Sequence, residues 1–252
     1  MKLHILCVAL LSLFCFTFCK QAYTVKEYGG TNITIDSNFT PDSVMSSIIA
    51  PYKKGIDAKM DSVIGVSEKD LLAHKPESEL SNFVSDVIQQ KAREFLVLHN
   101  ADSLRLMTLM NIKGIRAPIP RGEVTVRNIF ELMPFENEIV ILKLRGDSIK
   151  SLFDFLGKTN GDGIAGASVV YENHEVVQLM IGGEIVRDSH NYFLATSDYL
   201  ANGGDHYGMI MRPLFMQAIG SKLREAIIES IQELHSRDKK IKAKIQGRII
   251  FN

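Results

Sequence analysis

Apolar and polar positions recur along the chain with two periods, and these periods predict its elements. From Glu77 to His99, Leu80, Phe83, Val84, Val87 and Ile88 repeat at three and four residues, the signature of a helix with one apolar face. Pro76 and Ser78 stand where such a helix starts. LRLMTLM, residues 104–110, alternates like a half-buried strand, and NIKGIRAPIPRG after it reads as a glycine- and proline-rich loop. NIFELMPF predicts a short helix that breaks at Pro134, IVILKLRG a strand, and SIKSLFDFLGK a second amphipathic helix. ASVVYENHEVVQLMIGGEIV predicts a β-meander with turns at Glu172–His174 and Gly182–Gly183. NYFLATSDYL reads as a further strand. SKLREAIIESIQELHS reads as a third helix, with Leu223, Ile227, Ile231 and Leu234 on one face, and QGRIIF closes the chain as a short strand. Ahead of these, TNITIDS suggests a short strand, and PYKKGIDAKMDSVIG a helix followed by an extended piece. Helices and strands mix irregularly, so the expectation is a mixed α/β (α+β) fold in a single domain over residues 51–252.

Charge narrows the partners. Lys+Arg and Asp+Glu both number 29, so no net field draws in a nucleic acid, and none is expected as a partner. The first residues differ from the rest. MKLHILCVALLSLFCFTFCK places Lys2 before an almost unbroken apolar run from Leu3 to Phe18, the pattern of an export signal over residues 1–19. All three cysteines, Cys7, Cys15 and Cys19, lie in this segment. The body therefore has no disulfide framework, no thiolate metal site and no cysteine nucleophile. Cys19, between the apolar run and a polar stretch, is the expected lipidation site of a lipoprotein-type signal. Residues 20–50 are then a tether between a membrane anchor and the domain, in the cell envelope (periplasm or outer membrane).

The histidines offer little metal chemistry. Asp188-Ser189-His190 and Asn173-His174-Glu175 look like fragments of a two-metal ligand set, but a hairpin turn accounts for the second, and no H-x-H follows. KTNGDGIAG (158–166) lacks the acidic residues a calcium loop needs at its first and last positions. Other segments suit a small ligand. NIKGIR offers Asn111 and Arg116, an amide and a guanidinium that fit an oxyanion. MPFEN offers Phe135 after a proline. GGDHY offers Tyr207 after a turn built by Gly203, Gly204 and Asp205. Two loop aromatics can hold a flat base between them.

Taken in order, SELSNFVSD, NIKGIR, PFEN, LKLRGDSIKSLFD, AGASVVYE, YFLATSDYLANGGDHY and QGRIIF resemble the C-terminal, substrate-binding domain of the 5′-nucleotidase family from about Pro51 onward. The resemblance implies that Phe135 and Tyr207 sandwich the base, that Asn111 and Arg116 contact ribose and phosphate, and that Gly203, Gly204 and Asp205 belong to the same substrate site. Three positions depart from the family pattern. Ser81 and His206 replace glycines, and Pro76 stands where some members carry a further phosphate-binding arginine. The family's N-terminal metallophosphoesterase domain, with its divalent metals and catalytic residues, has no counterpart here. The implied role is a nucleotide- or nucleoside-binding domain acting with a separate metallophosphoesterase subunit, with no catalytic residue, metal or cofactor of its own. The alternative is a stand-alone, non-catalytic nucleoside-binding surface lipoprotein.

Overall fold

The computed structural model describes residues 27–101 and 103–252. The export segment and its Cys19 lie outside them. The chain divides into two units, Met1–Ile48 and Ile49–Asn252. In the first, TNITIDS forms no strand: Ile33 and Ile35 are exposed, and no described segment pairs with them. The helix expected from Pro51 starts already at Ser43, because Asp42 caps it by accepting the Met45 N–H at 2.9 Å.

In chain order the elements are α1 (Ser43–Met60), β1 (Val63–Ser67), α2 (Glu79–Leu98), β2 (Leu106–Met110), β3 (Gly122–Thr125), α3 (Val126–Leu132), β4 (Glu138–Arg145) and α4 (Gly146–Lys158). There follow β5 (Gly163–Ala165), β6 (Ala167–Glu172), β7 (Glu175–Ile181), β8 (Glu184–Ile185), β9 (Asn191–Ser197), α5 (Asp198–Ala201), β10 (Phe215–Lys222), α6 (Leu223–Ser236) and β11 (Ile249–Phe251). Among the described residues, no helix is long and apolar enough to cross a membrane.

The fold is mixed α/β around a five-stranded sheet ordered β10-β4-β9-β2-β5. β9 and β2 run parallel, and the other pairs in this sheet are antiparallel. β11-β6-β7-β8 form a second sheet, and β1 pairs with β3. Alternation along the central strands feeds two cores. Met110, Ile139, Ile141 and Ala195 pack with Leu80, Val84 and Ile88 of α2 and with Ile227 and Ile231 of α6. On the opposite face, Met107, Leu109, Val140, Leu142 and Leu194 pack with Leu152 and Phe153 of α4 and with Tyr171 of the second sheet. Each fully buried aliphatic side chain contributes about 1.5–3 kcal/mol. β2 is therefore buried on both faces, not half-buried as its alternation suggests.

Local chemistry sets the boundaries. Ser78 caps α2 in a capping box with Ser81, its hydroxyl accepting the Ser81 N–H at 3.1 Å. β9 stops at Ser197, whose hydroxyl accepts the Leu200 N–H, so Asp198–Ala201 are helical rather than the end of a strand. Leu223, not Ser221, opens the third helix, because β10 runs through to Lys222.

One register relation places the site. Met110, ending β2, pairs with Gly163, starting β5, and Ser197, ending β9, pairs with Ile139, at the start of β4. The loops after β2 and β9 and those before β4 and β5 therefore emerge at one edge of the sheet.

Candidate functional site

A cleft of about 300 Å3 opens at that edge, lined by Asn111, Arg116, Phe135, Asn137, Tyr199 and Asp205, with Lys113 and Gly114 beside them. Larger depressions exist elsewhere. One of about 490 Å3 lies beside Arg248, whose guanidinium is already bound by Asp86 and Gln246.

Three loops build the cleft. After β2 the backbone enters a single 3-10 turn, Ile112–Gly114, with Asn111 at its start. Asn111 is buried, and its Nδ2 donates to Asp205 Oδ2 at 2.7 Å. Arg116 is anchored by its backbone, whose N–H donates to Leu132 O at 2.8 Å, while its side chain reaches solvent. In the described structure its guanidinium meets only Lys113 O, at 3.4 Å. The cleft lining thus includes two exposed cations, Lys113 and Arg116, with no acidic partner at hydrogen-bond distance among the described residues.

The second loop presents Phe135, 42% exposed. Its backbone is held by Arg224, a buried arginine at the start of α6, whose Nη1 donates to the carbonyls of Met133 and Phe135 at 3.2 Å each. Arg224 also pairs with Glu136 and lies over the Phe130 ring, 4.0 Å from its centroid. Hydrogen bonds from Lys222 and Arg224 hold the Glu136 carboxyl well below the usual range, at about 2. A buried arginine on a loop carbonyl leaves no periodic trace in the sequence. Its only signal is an arginine in the second position of an amphipathic helix.

The third loop corrects the expected base slot. Tyr207 does not line the cleft. It is 1% exposed, packs edge-on against Phe155 at 5.0 Å, and donates its hydroxyl to Asp162 Oδ2 at 2.5 Å. Burial, then the neighbouring Asp162 carboxylate, push its phenol far above the ordinary tyrosine range. The second aromatic lining the cleft is Tyr199, 46% exposed, in the first turn of α5. Leu200 and Ala201 turn inward from the same short helix.

The two glycines have different reasons to be there. Gly203 has φ +86°, a left-handed conformation that glycine adopts without strain. Gly204 lies under the Tyr199 ring: a Cβ there would sit 2.5 Å from Cε1 and Cζ. Asp205, itself at φ +49°, accepts from Asn111 through Oδ2 and from the Tyr199 hydroxyl through Oδ1 at 3.0 Å. Of the residues expected at the site, Asn111, Arg116, Phe135 and Asp205 converge on one cleft. Gly203 and Gly204 shape its rim, and Tyr207 lies beneath it.

No group of three or more metal-ligating side chains stands together among the described residues. Asn173 and His174, both at positive φ, form the β6–β7 turn, and Asp188 pairs with Lys150 at 2.9 Å. His206 is exposed.

The architecture is that of a mixed α/β domain whose cleft combines aromatic, amide, carboxylate and cationic groups. Its sequence places it more narrowly. Residues 63–212 match the family model for the 5′-nucleotidase C-terminal domain, and the chain belongs to that family. It is 27% identical over 189 residues to a trifunctional nucleotide phosphoesterase of Bacillus subtilis, which covers 69% of this chain and 12% of that protein. It is 23% identical over 180 residues to a 5′-nucleotidase of Vibrio vulnificus, covering 69% of this chain and 32% of the relative. The chain thus spans a third or less of either. The 5′-nucleotidase precursor of Thermus thermophilus superposes with a TM-score of 0.68 at 24% identity, over 84% of this chain and 44% of that one.

Proposed function

We propose that this domain binds a nucleotide in the cleft and presents its phosphate to a separate metallophosphoesterase subunit. The observation that carries this reading is the convergence of Phe135 and Tyr199 with Asn111, Asp205 and Arg116 on one cleft. Two aromatic side chains on one cleft offer faces on which a planar base can stack. Asp205, an acceptor in an aromatic-lined cleft, suits ribose hydroxyls, and the Asn111 amide can bind beside it. Arg116 and Lys113 supply the charge that suits a phosphate. The divalent metals of the hydrolysis belong to the partner, where they would supply the activated water. This chain's contribution is orientation of the substrate, which can lower a barrier by several kcal/mol, roughly 7–11 at best. The chain is exported through its N-terminal segment and anchored by a lipid on Cys19, so the reaction takes place in the cell envelope.

The test is calorimetric titration of the chain with AMP, alongside Phe135→Ala and Tyr199→Ala. Each variant weakens binding by about 1–3 kcal/mol if the base stacks on that ring. Wild-type affinity in both would remove the slot. Phosphate release from AMP by the isolated chain with Mn2+ would overturn the division of labour. Non-catalytic capture of nucleosides, the competing role, predicts that adenosine binds as tightly as AMP and that Arg116→Ala changes neither.

A further inference from the structure

Asp162, in the glycine-flanked turn that leads into β5, is a buried carboxylate that touches no face of the cleft. Its oxygens are nonetheless used by the two loops that build it. Oδ1 accepts the Ile112 N–H at 2.8 Å, one residue beyond Asn111. Oδ2 accepts the Tyr207 hydroxyl at 2.5 Å, two residues beyond Asp205. Lys75, whose ammonium donates to Thr159 O at 2.7 Å, stands 3.6 Å from the same oxygen and offsets the buried charge.

The loop after β2 and the turn after α5 are therefore joined twice. Asp205 links them at the cleft, through the Asn111 amide, and holds Tyr199 of α5 beside that link by accepting its hydroxyl. Asp162 links them from below, through a backbone N–H and a phenol. The upper link consists of groups that a ligand would also use. The lower link is buried away from the ligand and does not compete with it.

We propose that Asp162 and Tyr207 are positioning residues of the ligand site, a buried brace that sets the spacing of Asn111 from Asp205 and Tyr199. This rests on the nucleotide-binding reading above. It gives Tyr207 a part in the site without contact to the base, and it explains an acidic residue in a turn with no cation-binding pattern. Because the brace acts through Asn111 and its neighbours, its loss should matter only while Asn111 is present to be positioned.

The experiment is a double-mutant cycle on the full chain, read by titration with AMP well below each variant's melting temperature. Asp162→Ala is expected to weaken AMP binding by about tenfold, and by less than about twofold in an Asn111→Ala background. Asp162→Asn, which keeps an acceptor for Ile112 and a polar group for Tyr207, should restore most of the affinity. Wild-type affinity in Asp162→Ala, or the same factor in both backgrounds, would overturn the proposal, since a purely structural residue lowers the melting temperature without coupling to Asn111. If Asp162→Ala does not fold, Tyr207→Phe in the same two backgrounds decides, with the same expected coupling. Should the wild type bind no AMP, the nucleotide reading fails separately. The brace is then read from the NMR signals of the Asn111 side-chain amide: shifted signals in Tyr207→Phe uphold it, and unshifted signals refute it.

Discussion

Gly203 and Gly204 are neighbours in one turn, yet replacing each by alanine should damage different properties. Gly204 does not need a left-handed backbone, so Gly204→Ala strains nothing in the main chain. The new Cβ would, however, lie 2.5 Å from Cε1 and Cζ of Tyr199 and 2.7 Å from Cδ1. Carbon atoms rest at about 3.5–4.0 Å, so the ring must retreat by roughly 1 Å or more. Tyr199 is half exposed and free to swing outward, which breaks its bonds to Asp205 but empties no core. The expected result is a loss of AMP affinity of about 1–3 kcal/mol, the full worth of one stacked base, roughly 5- to 150-fold. Stability should fall by only about 1 kcal/mol, since a half-exposed ring and two exposed hydrogen bonds to Asp205, which water can replace, are at stake. Gly203→Ala gives the converse. Its φ of +86° costs an alanine about 1–2 kcal/mol, and its Cβ would meet Met211 Sδ at 2.5 Å. That variant should melt earlier. Gly208→Ala, with nothing within 4 Å of its Cβ, is the control that should change neither property. Calorimetric titration with AMP and thermal melts on the three variants make the comparison. Wild-type AMP affinity in Gly204→Ala would refute the claim that Tyr199, as placed here, is a wall of the base slot.

Arg116→Ala should weaken AMP binding about tenfold or more while leaving adenosine affinity within about twofold, because a guanidinium–phosphate contact is charge-assisted; paired titrations at two salt concentrations check this. Glu136 is held at about 2, so its ion pairs with Lys222 and Arg224 stabilise the fold fully above the ordinary carboxylate range and lose that contribution as pH falls from about 4.5 to 2. Glu136→Gln should accordingly flatten the acid-unfolding profile in that window and leave the profile above pH 5 parallel to wild type, as followed by circular dichroism. Glu77 is buried and accepts from the Asn82 amide at 2.6 Å and from the backbone N–H groups of Gln246 and Arg248 at 2.8 Å each. Glu77→Ala strands the two backbone donors and leaves the Asn82 amide only Lys244 O, at 2.8 Å, and should cost about 2 kcal/mol or more, read as a lower urea midpoint.

What was legible in the sequence is what periodicity governs. The spacing of Leu80, Val84 and Ile88 and the cap at Ser78 predict α2 to within two residues at each end, and the β6–β7 hairpin follows from its turn residues. β10 left no such trace, because most residues of FMQAIGSK are exposed on an edge strand and alternate with no buried face. The ordered segments were enough to identify the family and four of the cleft residues. The exchange of Tyr199 for Tyr207 shows where such reading stops. Both tyrosines flank the same glycine pair, and neither carries a local preference for the core. Tyr199 stays outside because Ser197 starts a helical turn whose next residues, Leu200 and Ala201, take the inward positions. Tyr207 goes inside because a carboxylate 45 residues earlier, at Asp162, awaits its hydroxyl. A buried phenol needs such a partner, and without one its desolvation would favour an exposed position. The side chain that lines the cleft is thus selected by a hydrogen bond between distant segments, which no pattern within either segment encodes.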